Sequence, residues 1–300
     1  MYFGIDVGGT KMIFAHYDEN DQIKIIDKVL TPKSYKDFLA VIIKVFNNFK
    51  IKNNKKIKRV GIGVPGRVDD NKIVWVPNLP FLNGKRLDKD LYTQLKLDII
   101  IANDAHLALL GETWKGIGKG RENVVLISLG TGVGGAIMAG GKIIKGNTGT
   151  AGSFGWINFN IDFETDQNHG FLDLNASGTA LERDAKELNS NLTGYDIVKK
   201  AKQGEKEPLQ IIDNLGDLLG ASIAMISSII DPEMVVISGG LSEIYNLFIN
   251  NLQRKFKQLA SFNVQDIDIV VTELKNKAAV YGAIRLAISG EKESIFDINN

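Results

Sequence analysis

The sequence contains no cysteine, only three histidines and only six prolines in 300 residues. Without cysteine the chain forms no disulfide, uses no thiolate nucleophile and builds no cysteine-ligated zinc site. The formal net charge is +1, which gives no overall attraction to nucleic acid or to an anionic membrane. These absences exclude disulfide scaffolds and thiol enzymes, and they argue against a nucleic-acid or membrane partner.

Targeting and membrane-spanning segments are also absent from the pattern. The chain enters a strand at once, without a basic segment and a hydrophobic leader, and no apolar run approaches the roughly 20 residues of a membrane span. We therefore expect a cytoplasmic protein. What is abundant is glycine, with 31 residues against an average of about 7%. These glycines cluster at turns, which favours ligand-binding loops over a flexible linker.

The first such turn lies in Phe3–Lys11 (FGIDVGGTK) and predicts two strands joined by a Gly-Gly turn, since glycine accepts positive φ angles without strain. Asp6 stands at a strand end, where a carboxylate is suited to orient a hydrated Mg²⁺. The turn is suited to bind phosphate, although an ordinary hairpin explains it equally well. Its candidate phosphate-binding residues are Gly8, Gly9, Thr10 and Lys11.

The second half of the chain begins as the first does. Asn123–Leu129 is a predicted strand that opens into a Gly/Thr turn at Gly130–Gly135, and two short strands follow over Ala136–Met138 and Lys142–Lys145. The repeat lies in the architecture rather than in sequence identity. We expect two domains whose phosphate-type turns enclose one triphosphate between them.

Polar residues follow several predicted strands. Asn78 lies in a loop between two prolines, where it either points at a ligand or bonds its own turn. Asn103 and Asp104 follow the strand Asp98–Ala102 and precede a helix, a position where ligand-facing residues collect in α/β sheets. Asp104 is also a suitable N-cap for that helix, and we favour the catalytic interpretation.

The remaining pattern is less specific. Glu207–Ile230 predicts a long central helix, and Gly239 and Gly240 follow a buried strand, where exposed backbone N–H groups are suited to a nucleotide. Trp156–Phe163 favours a strand, and Glu291–Asn300 is expected to be a frayed tail.

Eight motifs in order over nearly the whole chain resemble those of the ROK family of sugar kinases. They are Asp6–Lys11 (DVGGTK), Gly61–Gly66 (GIGVPG), Pro77–Pro80 (PNLP), Asn103–Ala105 (NDA), Leu129–Gly135 (LGTGVGG), Gly152–Gly155 (GSFG), Asp231–Ile237 (DPEMVVI) and Gly239–Leu241 (GGL). The resemblance implies an α/β, two-domain actin/hexokinase-like (ribonuclease H-like) fold, with duplicated mixed-sheet lobes around a cleft. It places residues 1–104 and a C-terminal helix at about 277–300 in a small lobe, and 105–276 in a larger one.

The resemblance also implies an activity, in which ATP with Mg²⁺ phosphorylates a hexose or N-acetylhexosamine, usually at the 6-OH. Asp104 resembles the general base of the family, and Asp6 would hold the metal through water. The implied ATP contacts are Gly8, Gly9, Thr10, Lys11, Thr131, Gly132, Gly134, Gly239 and Gly240. The implied sugar contacts are Gly66, Asn78, Asn103, Asp104, Ser153, Trp156 and Asp173. A homodimer is expected as well.

The chain departs from the family at the sugar loop. Ser153 and Trp156 stand where the family has Glu and His, and the three cysteines of a structural zinc site are missing, so we expect no zinc. Trp156 stacks on a sugar, fills the C2 pocket or, as we favour, packs in the core. Asp173 corresponds to a sugar-binding Glu and is one methylene shorter. Nearby aromatic and apolar residues are expected to pack the loop instead of a metal: Phe159, Phe163, Phe171 and Leu172.

Two rival functions stay open. One is a catalytically weak or inactive sugar- or nucleotide-binding regulator; the family's repressors carry an added N-terminal DNA-binding domain, for which we expect no room before Phe3. The other is an actin- or chaperone-like ATPase, whose turnover would not depend on a sugar.

Overall fold

The computed structural model describes residues 1–53, 56–164, 168–290 and 295–297. The chain forms two compact units. Unit 1 comprises Met1–Glu122, Ile137–Ala151 and Glu273–Asn300, and unit 2 comprises Asn123–Ala136 and Gly152–Thr272.

The sheet of unit 1 has five strands in the order β3-β2-β1-β4-β7. The strands are β1 (Tyr2–Val7), β2 (Lys11–Tyr17), β3 (Ile23–Leu30), β4 (Arg59–Val64) and β7 (Asp98–Asn103). β1 and β2 pair antiparallel, whereas β1, β4 and β7 run parallel. The opening hairpin predicted from the Gly-Gly turn is therefore confirmed, and the parallel strands bring their carboxyl ends to one edge.

Within the described residues, the α-helices of unit 1 are α1 (Tyr35–Asn53), α2 (Leu87–Leu95), α3 (Asp104–Lys115) and α9 (Ala278–Ser289). At the start of α1 the Ser34 hydroxyl accepts a hydrogen bond from the Asp37 N–H at 3.2 Å and so caps the helix. Phe38 and Phe46 on α1 join Phe3 and Ile5 on β1 in one fully buried core. A short hairpin of β5 (Arg67–Asp69) and β6 (Lys72–Trp75) precedes the Pro-bracketed loop.

The second sheet repeats the strand order of the first, as β10-β9-β8-β11-β12. These strands are β8 (Val124–Leu129), β9 (Val133–Ala139), β10 (Lys142–Ile144), β11 (Met234–Ser238) and β12 (Asp268–Val271). In both sheets the third, second, first, fourth and fifth strands lie side by side. The architectural repeat predicted from the two Gly/Thr turns is confirmed.

The helices of unit 2 are α4 (Phe171–Asn175), α5 (Gly178–Leu188), α6 (Gly194–Lys202), α7 (Lys206–Ile230) and α8 (Tyr245–Leu259). By length and composition α7 is apolar enough to cross a membrane, contrary to the expectation from the sequence. It packs against α8 and α6, as a core helix does, and 56% of its most apolar stretch is buried.

Two local predictions were wrong. The segment after Gly152 forms a short 3-10 helix over Phe154–Trp156 followed by turns, rather than a strand, because Asn158 and Asn160 accept backbone N–H bonds within their own turns. Part of the expected frayed tail is ordered as β13 (Phe296–Asp297), which pairs parallel with β10 and buries Phe296. Residues 291–294 and 298–300 of that tail lie outside the described residues.

The compact units divide the chain at other residues than the predicted lobes, because residues 105–122 and Ile137–Ala151 lie in unit 1. The predicted boundary between residues 104 and 105 falls inside unit 1, at the start of α3. α3 packs extensively against α9, another helix of unit 1, so the two helices form one layer. The base candidate Asp104 consequently lies within unit 1 rather than at its edge.

Candidate active site

The unit 1 turn is fixed by its own backbone and by one threonine. The Gly8 N–H donates to the Lys11 carbonyl at 2.9 Å. Thr31, just beyond β3, donates its N–H to the Thr10 carbonyl at 2.9 Å and its hydroxyl to the Gly8 carbonyl at 2.6 Å. The carbonyl groups are therefore satisfied from within, while Gly9, Thr10 and Lys11 stay exposed.

Two carboxyl groups lie at the carboxyl edge of the unit 1 sheet. Asp6 is paired with Gly63 of β4 in register, and Asp104 follows β7 directly. Burial, followed by the charge of Asp104, raises the pKa of Asp6 to about 7. Burial raises the pKa of Asp104 to about 6, although backbone N–H groups at Ala105 and at Asp104 itself oppose the shift. The two carboxyl groups are thus close enough, and shielded enough from water, for the charge of Asp104 to act on Asp6.

Asn103 supplies the cap of α3 and so leaves the catalytic interpretation of Asp104 open. Its Oδ1 accepts hydrogen bonds from the N–H groups of Ala105 at 2.9 Å and His106 at 3.1 Å. Its Nδ2 donates to the Gly66 carbonyl at 3.0 Å. Asp104 Oδ1 also accepts from the Ala105 N–H at 2.8 Å, so one of its oxygens is oriented by the helix start.

The other two unit 1 candidates lie beside these groups. At Gly66 a Cβ would collide with the Trp75 carbonyl, so only glycine lets β4 turn there. Asn78 lies next to the phosphate-type turn, as shown by the 3.7 Å that would separate a Cβ added at Gly9 from the Cβ of Asn78. The structure therefore gathers all the unit 1 candidates at the carboxyl ends of β1, β4 and β7.

The unit 2 turn is held in a similar way. The Gly130 N–H donates to the Gly132 carbonyl at 2.9 Å, and the Gly178 N–H at the start of α5 donates to the Gly130 carbonyl at 2.8 Å. Thr179 donates its N–H and its hydroxyl to the Thr131 carbonyl, at 3.1 and 2.8 Å. A helix start and a threonine thus fix the turn that carries Thr131, Gly132 and Gly134.

The sugar loop of unit 2 departs from the expectation at two residues. Trp156 is 47% exposed, so the favoured core interpretation is wrong. Asp173 accepts a hydrogen bond from the Val133 N–H at 2.6 Å, which joins its carboxyl group to the phosphate-type turn. Ser153 is exposed, and Phe154 is buried beneath the loop.

An aromatic cluster supports this loop. The rings of Phe159 and Phe163 each meet the Phe171 ring edge-on, with centroids 5.8 and 5.1 Å apart, and Leu172 is fully buried. These contacts agree with the expected apolar packing of the loop. Within the described ranges no three His, Asp or Glu side chains come together as a metal site.

The two glycines expected beside the nucleotide differ in their surroundings. Gly239 has a φ of +85° and lies against the backbone of Leu129, so that position requires glycine for the fold itself. A Cβ at Gly240 would meet open space, so its lack of a side chain is not explained by packing. Among the two, Gly240 is the one that the fold leaves accessible to a ligand.

The sequence analysis missed three residues that hold the site. Thr31 and Thr179 carry no distinguishing pattern, since their role depends on carbonyl groups 21 or more residues away. His106 lies two residues after Asp104, a proximity visible in the sequence, and its Nε2 is 3.3 Å from the Ala151 carbonyl. Burial lowers the pKa of His106 to about 4, so the ring is neutral and donates its Nε2–H to that carbonyl.

Comparison with known proteins gives a consistent result. The family model described as ROK family matches residues 2–289. A glucokinase of Halalkalibacterium halodurans is 32% identical, and the alignment covers 94% of this chain and 93% of that protein. An N-acetyl-D-glucosamine kinase of Pectobacterium atrosepticum is 30% identical over 87% and 91% of the two chains. The crystal structure of a Streptomyces griseus ROK family glucokinase in complex with glucose and AMPPNP superposes with a TM-score of 0.80, at 28% identity over 96% and 99% of the chains.

Proposed function

Because the chain belongs to the ROK family, we propose that it is an ATP-dependent kinase that phosphorylates a hexose or N-acetylhexosamine, at the 6-OH. The observation that carries the proposal is the placement of Asp104. Its carboxyl group follows β7, next to an Asn103 that caps the helix, and burial raises its pKa to about 6. A carboxylate with a pKa just below neutrality is deprotonated at working pH and still basic enough to take a proton.

In the proposed reaction Asp104 accepts the proton of the sugar hydroxyl as that oxygen attacks the γ-phosphorus. A phosphorus–oxygen bond forms to the sugar, the bond between the γ-phosphorus and the β–γ bridging oxygen breaks, and ADP leaves with the electron pair. Phosphoryl transfer asks little covalent chemistry of the protein beyond positioning and charge neutralisation. One base and two rigid turns are a sufficient set of protein groups.

We propose phosphate contacts for each unit by itself, at Gly8–Lys11 on unit 1 and at Thr131–Gly134 on unit 2. The residues present also fit Mg²⁺, because Asp6 offers hard oxygens at a strand end and its pKa is raised partly by the Asp104 charge, a repulsion that a cation relieves. When bound, the metal would neutralise charge on the phosphate oxygens. Asp6 would orient it through water.

The sugar is assigned to residues that the unit 1 contacts support. Asn103 and Gly66 are joined by a hydrogen bond beside Asp104, and Asn78 lies next to Gly9. This arrangement brings the proposed sugar contacts of unit 1 beside both the base and the phosphate-type turn. The exposed Ser153 is the proposed contact from the unit 2 loop.

The test is an ADP-release assay over a panel of hexoses, N-acetylhexosamines and fructose, with Asp104→Asn and a matched control, Asp98→Asn. Asp98 is exposed at the opposite end of the same strand. We expect sugar-dependent turnover, a loss of at least about 100-fold in kcat for Asp104→Asn and no change for Asp98→Asn. Retained turnover in Asp104→Asn would refute the assignment of the base.

A non-catalytic regulator is the second candidate, and the altered sugar loop with exposed Ser153 and Trp156 is the observation in its favour. That candidate is supported if sugar and nucleotide bind but no ADP is released with any sugar. ADP release without sugar dependence would favour an ATPase.

The proposal extends to a cytoplasmic location and a homodimer. Light scattering coupled to size-exclusion chromatography would test the dimer through its expected mass, twice the 32.9 kDa of the chain.

A further inference from the structure

The carboxyl group of Asp173 fills the space between two backbone segments of unit 2. Oδ1 accepts the Val133 N–H at 2.6 Å, at the end of the phosphate-type turn, and a Cβ at Gly132 would stand 2.8 Å from the same oxygen. On the other side, a Cβ at Gly155 in the sugar loop would collide with both oxygens and the carboxyl carbon. The carboxyl group can lie here only because positions 132 and 155 are both glycine.

The position of Asp173 is fixed by α4. Oδ2 lies 3.4 Å from the Gly170 N–H at the start of this helix. Leu172 is fully buried, and the Phe171 ring makes edge-on contacts with the rings of Phe159 and Phe163. With the neighbouring side chains locked in this way, α4 presents Asp173 to the turn as a rigid support.

We propose that Asp173 is a positioning residue that holds the Thr131–Val133 turn at a fixed distance from the Gly152–Trp156 loop, and that it does not bind the sugar. A carboxylate that accepts a short backbone N–H bond and is enclosed by glycines is directed at the backbone. Because the carboxyl oxygens lie against Gly132 and Gly155, we expect a longer side chain to displace one of these segments or to lose the Val133 N–H bond. The inference rests on the proposed function, because it makes Asp173 serve the binding of the nucleotide phosphates.

The experiment compares Asp173→Ala, Asp173→Asn and Asp173→Glu by calorimetric titration with MgADP in the absence of sugar, and by KM for ATP and for the sugar. In Asp173→Ala the buried Val133 N–H loses its partner, so we expect MgADP affinity to fall about tenfold. Asp173→Asn keeps an acceptor oxygen for that N–H, and its affinity should fall no more than about threefold. Asp173→Glu should weaken MgADP binding as Asp173→Ala does. In all three variants the KM for the sugar should change by less than about twofold, which is less than the loss of one hydrogen bond would cause.

The matched control is Asp196→Ala. Asp196 is the third residue of α6, as Asp173 is of α4, and its carboxyl group accepts the Thr193 N–H at 2.9 Å. This residue is far in sequence from the Thr131–Val133 turn. This variant should lose helix capping and leave the MgADP affinity unchanged. Thermal unfolding of each variant checks that it is folded, and Asp173→Glu keeps the test decisive if Asp173→Ala is not.

Opposite results would overturn the inference. A rise in sugar KM with unchanged MgADP affinity, or a lower sugar KM in Asp173→Glu, would make Asp173 a sugar ligand. Absence of MgADP binding to the wild-type chain would refute the positioning role outright. The proposed function can fail separately, because the titration needs no turnover. If no sugar is phosphorylated but the MgADP affinity of the Asp173 variants changes as expected, the positioning role stands and the kinase assignment is refuted.

Discussion

The two phosphate-type turns are built alike and equipped differently. In each, a threonine donates its N–H and its hydroxyl to turn carbonyls, from Thr31 in unit 1 and from Thr179 in unit 2. In unit 1 a carboxyl group, Asp6, precedes the turn on its strand and interacts with Asp104. In unit 2 the only carboxyl group that the described contacts place on the turn is that of Asp173, bonded to its backbone.

The difference separates two tasks. Unit 1 places partly buried carboxyl groups whose pKa values are raised, which is the arrangement that proton transfer and cation binding require. Unit 2 carries a turn whose carbonyl groups accept hydrogen bonds from a helix start and a threonine, and a rigid turn of this kind suits phosphate binding. We therefore expect unit 1 to determine the chemical step and both turns to contribute to nucleotide affinity.

The strongest test of this division replaces one group on each turn, by Asp6→Asn and Thr131→Ala. Loss of the Asp6 charge should lower kcat by about 100-fold or more, because the metal that would neutralise the phosphate oxygens loses the carboxylate proposed to orient it. Thr131→Ala should change the KM for ATP by less than about tenfold, since the backbone donors remain. Steady-state kinetics with saturating sugar measures both. Equal losses of kcat in the two variants would contradict the division.

A second test is the dependence of turnover on pH. Asp104 must be deprotonated to accept a proton and Asp6 to orient the metal, so kcat/KM should begin to fall below about pH 7 and should fall more steeply below about pH 6. The pH at which kcat/KM begins to fall should be the same in Asp173→Asn, because that substitution lies in unit 2. A pH profile that stays flat down to pH 4.5 would show that no carboxyl group with a raised pKa limits the reaction.

The same raised pKa values predict a stability effect of defined sign. Folded Asp104 and Asp6 hold a proton more tightly than their unfolded forms, whose pKa is 3.8, so the folded state binds more protons between about pH 4 and pH 7. Stability from these groups is complete below pH 4 and is lost as pH rises through 6 and 7. Asp104→Asn should therefore raise the Tm at pH 8 and leave it nearly unchanged at pH 4.

The smallest effect is expected from the paired threonines. Thr31→Val and Thr179→Val each keep the shape and the N–H bond but lose the hydroxyl bond, at 2.6 and 2.8 Å. Each should raise the KM for ATP about threefold to tenfold, and by a similar factor, because each turn loses one comparable hydrogen bond. If only one variant has an effect, the two turns are not equivalent supports.

The architecture was predictable because its determinants are local. Gly-Gly turns and strand-ending polar residues identify the repeated opening of the two halves, and the family resemblance implied the two-domain fold. Asp104 was found because its position follows a predicted strand directly. These features need no knowledge of which distant residues meet.

The supports of the site escaped prediction because they depend on long-range packing. Asp173 and Val133 are 40 residues apart, and the geometry of their bond depends on glycines at two further positions. Trp156 was expected in the core on hydrophobicity alone, yet the loop turns into a 3-10 helix that leaves it half exposed. β13 was missed because a two-residue strand is stabilised by the edge of β10 rather than by its own sequence.

Asn103 has a consequence for how this protein can evolve. Its oxygen caps the helix that carries the base, and its nitrogen holds Gly66, so both halves of one small side chain are occupied. Any substitution there loses at least one of the two bonds, and under the proposed function the cost falls on folding and on the sugar contact at once. Under the same proposal we expect changes of sugar preference to arise at half-exposed positions such as Trp156 rather than at Asn103.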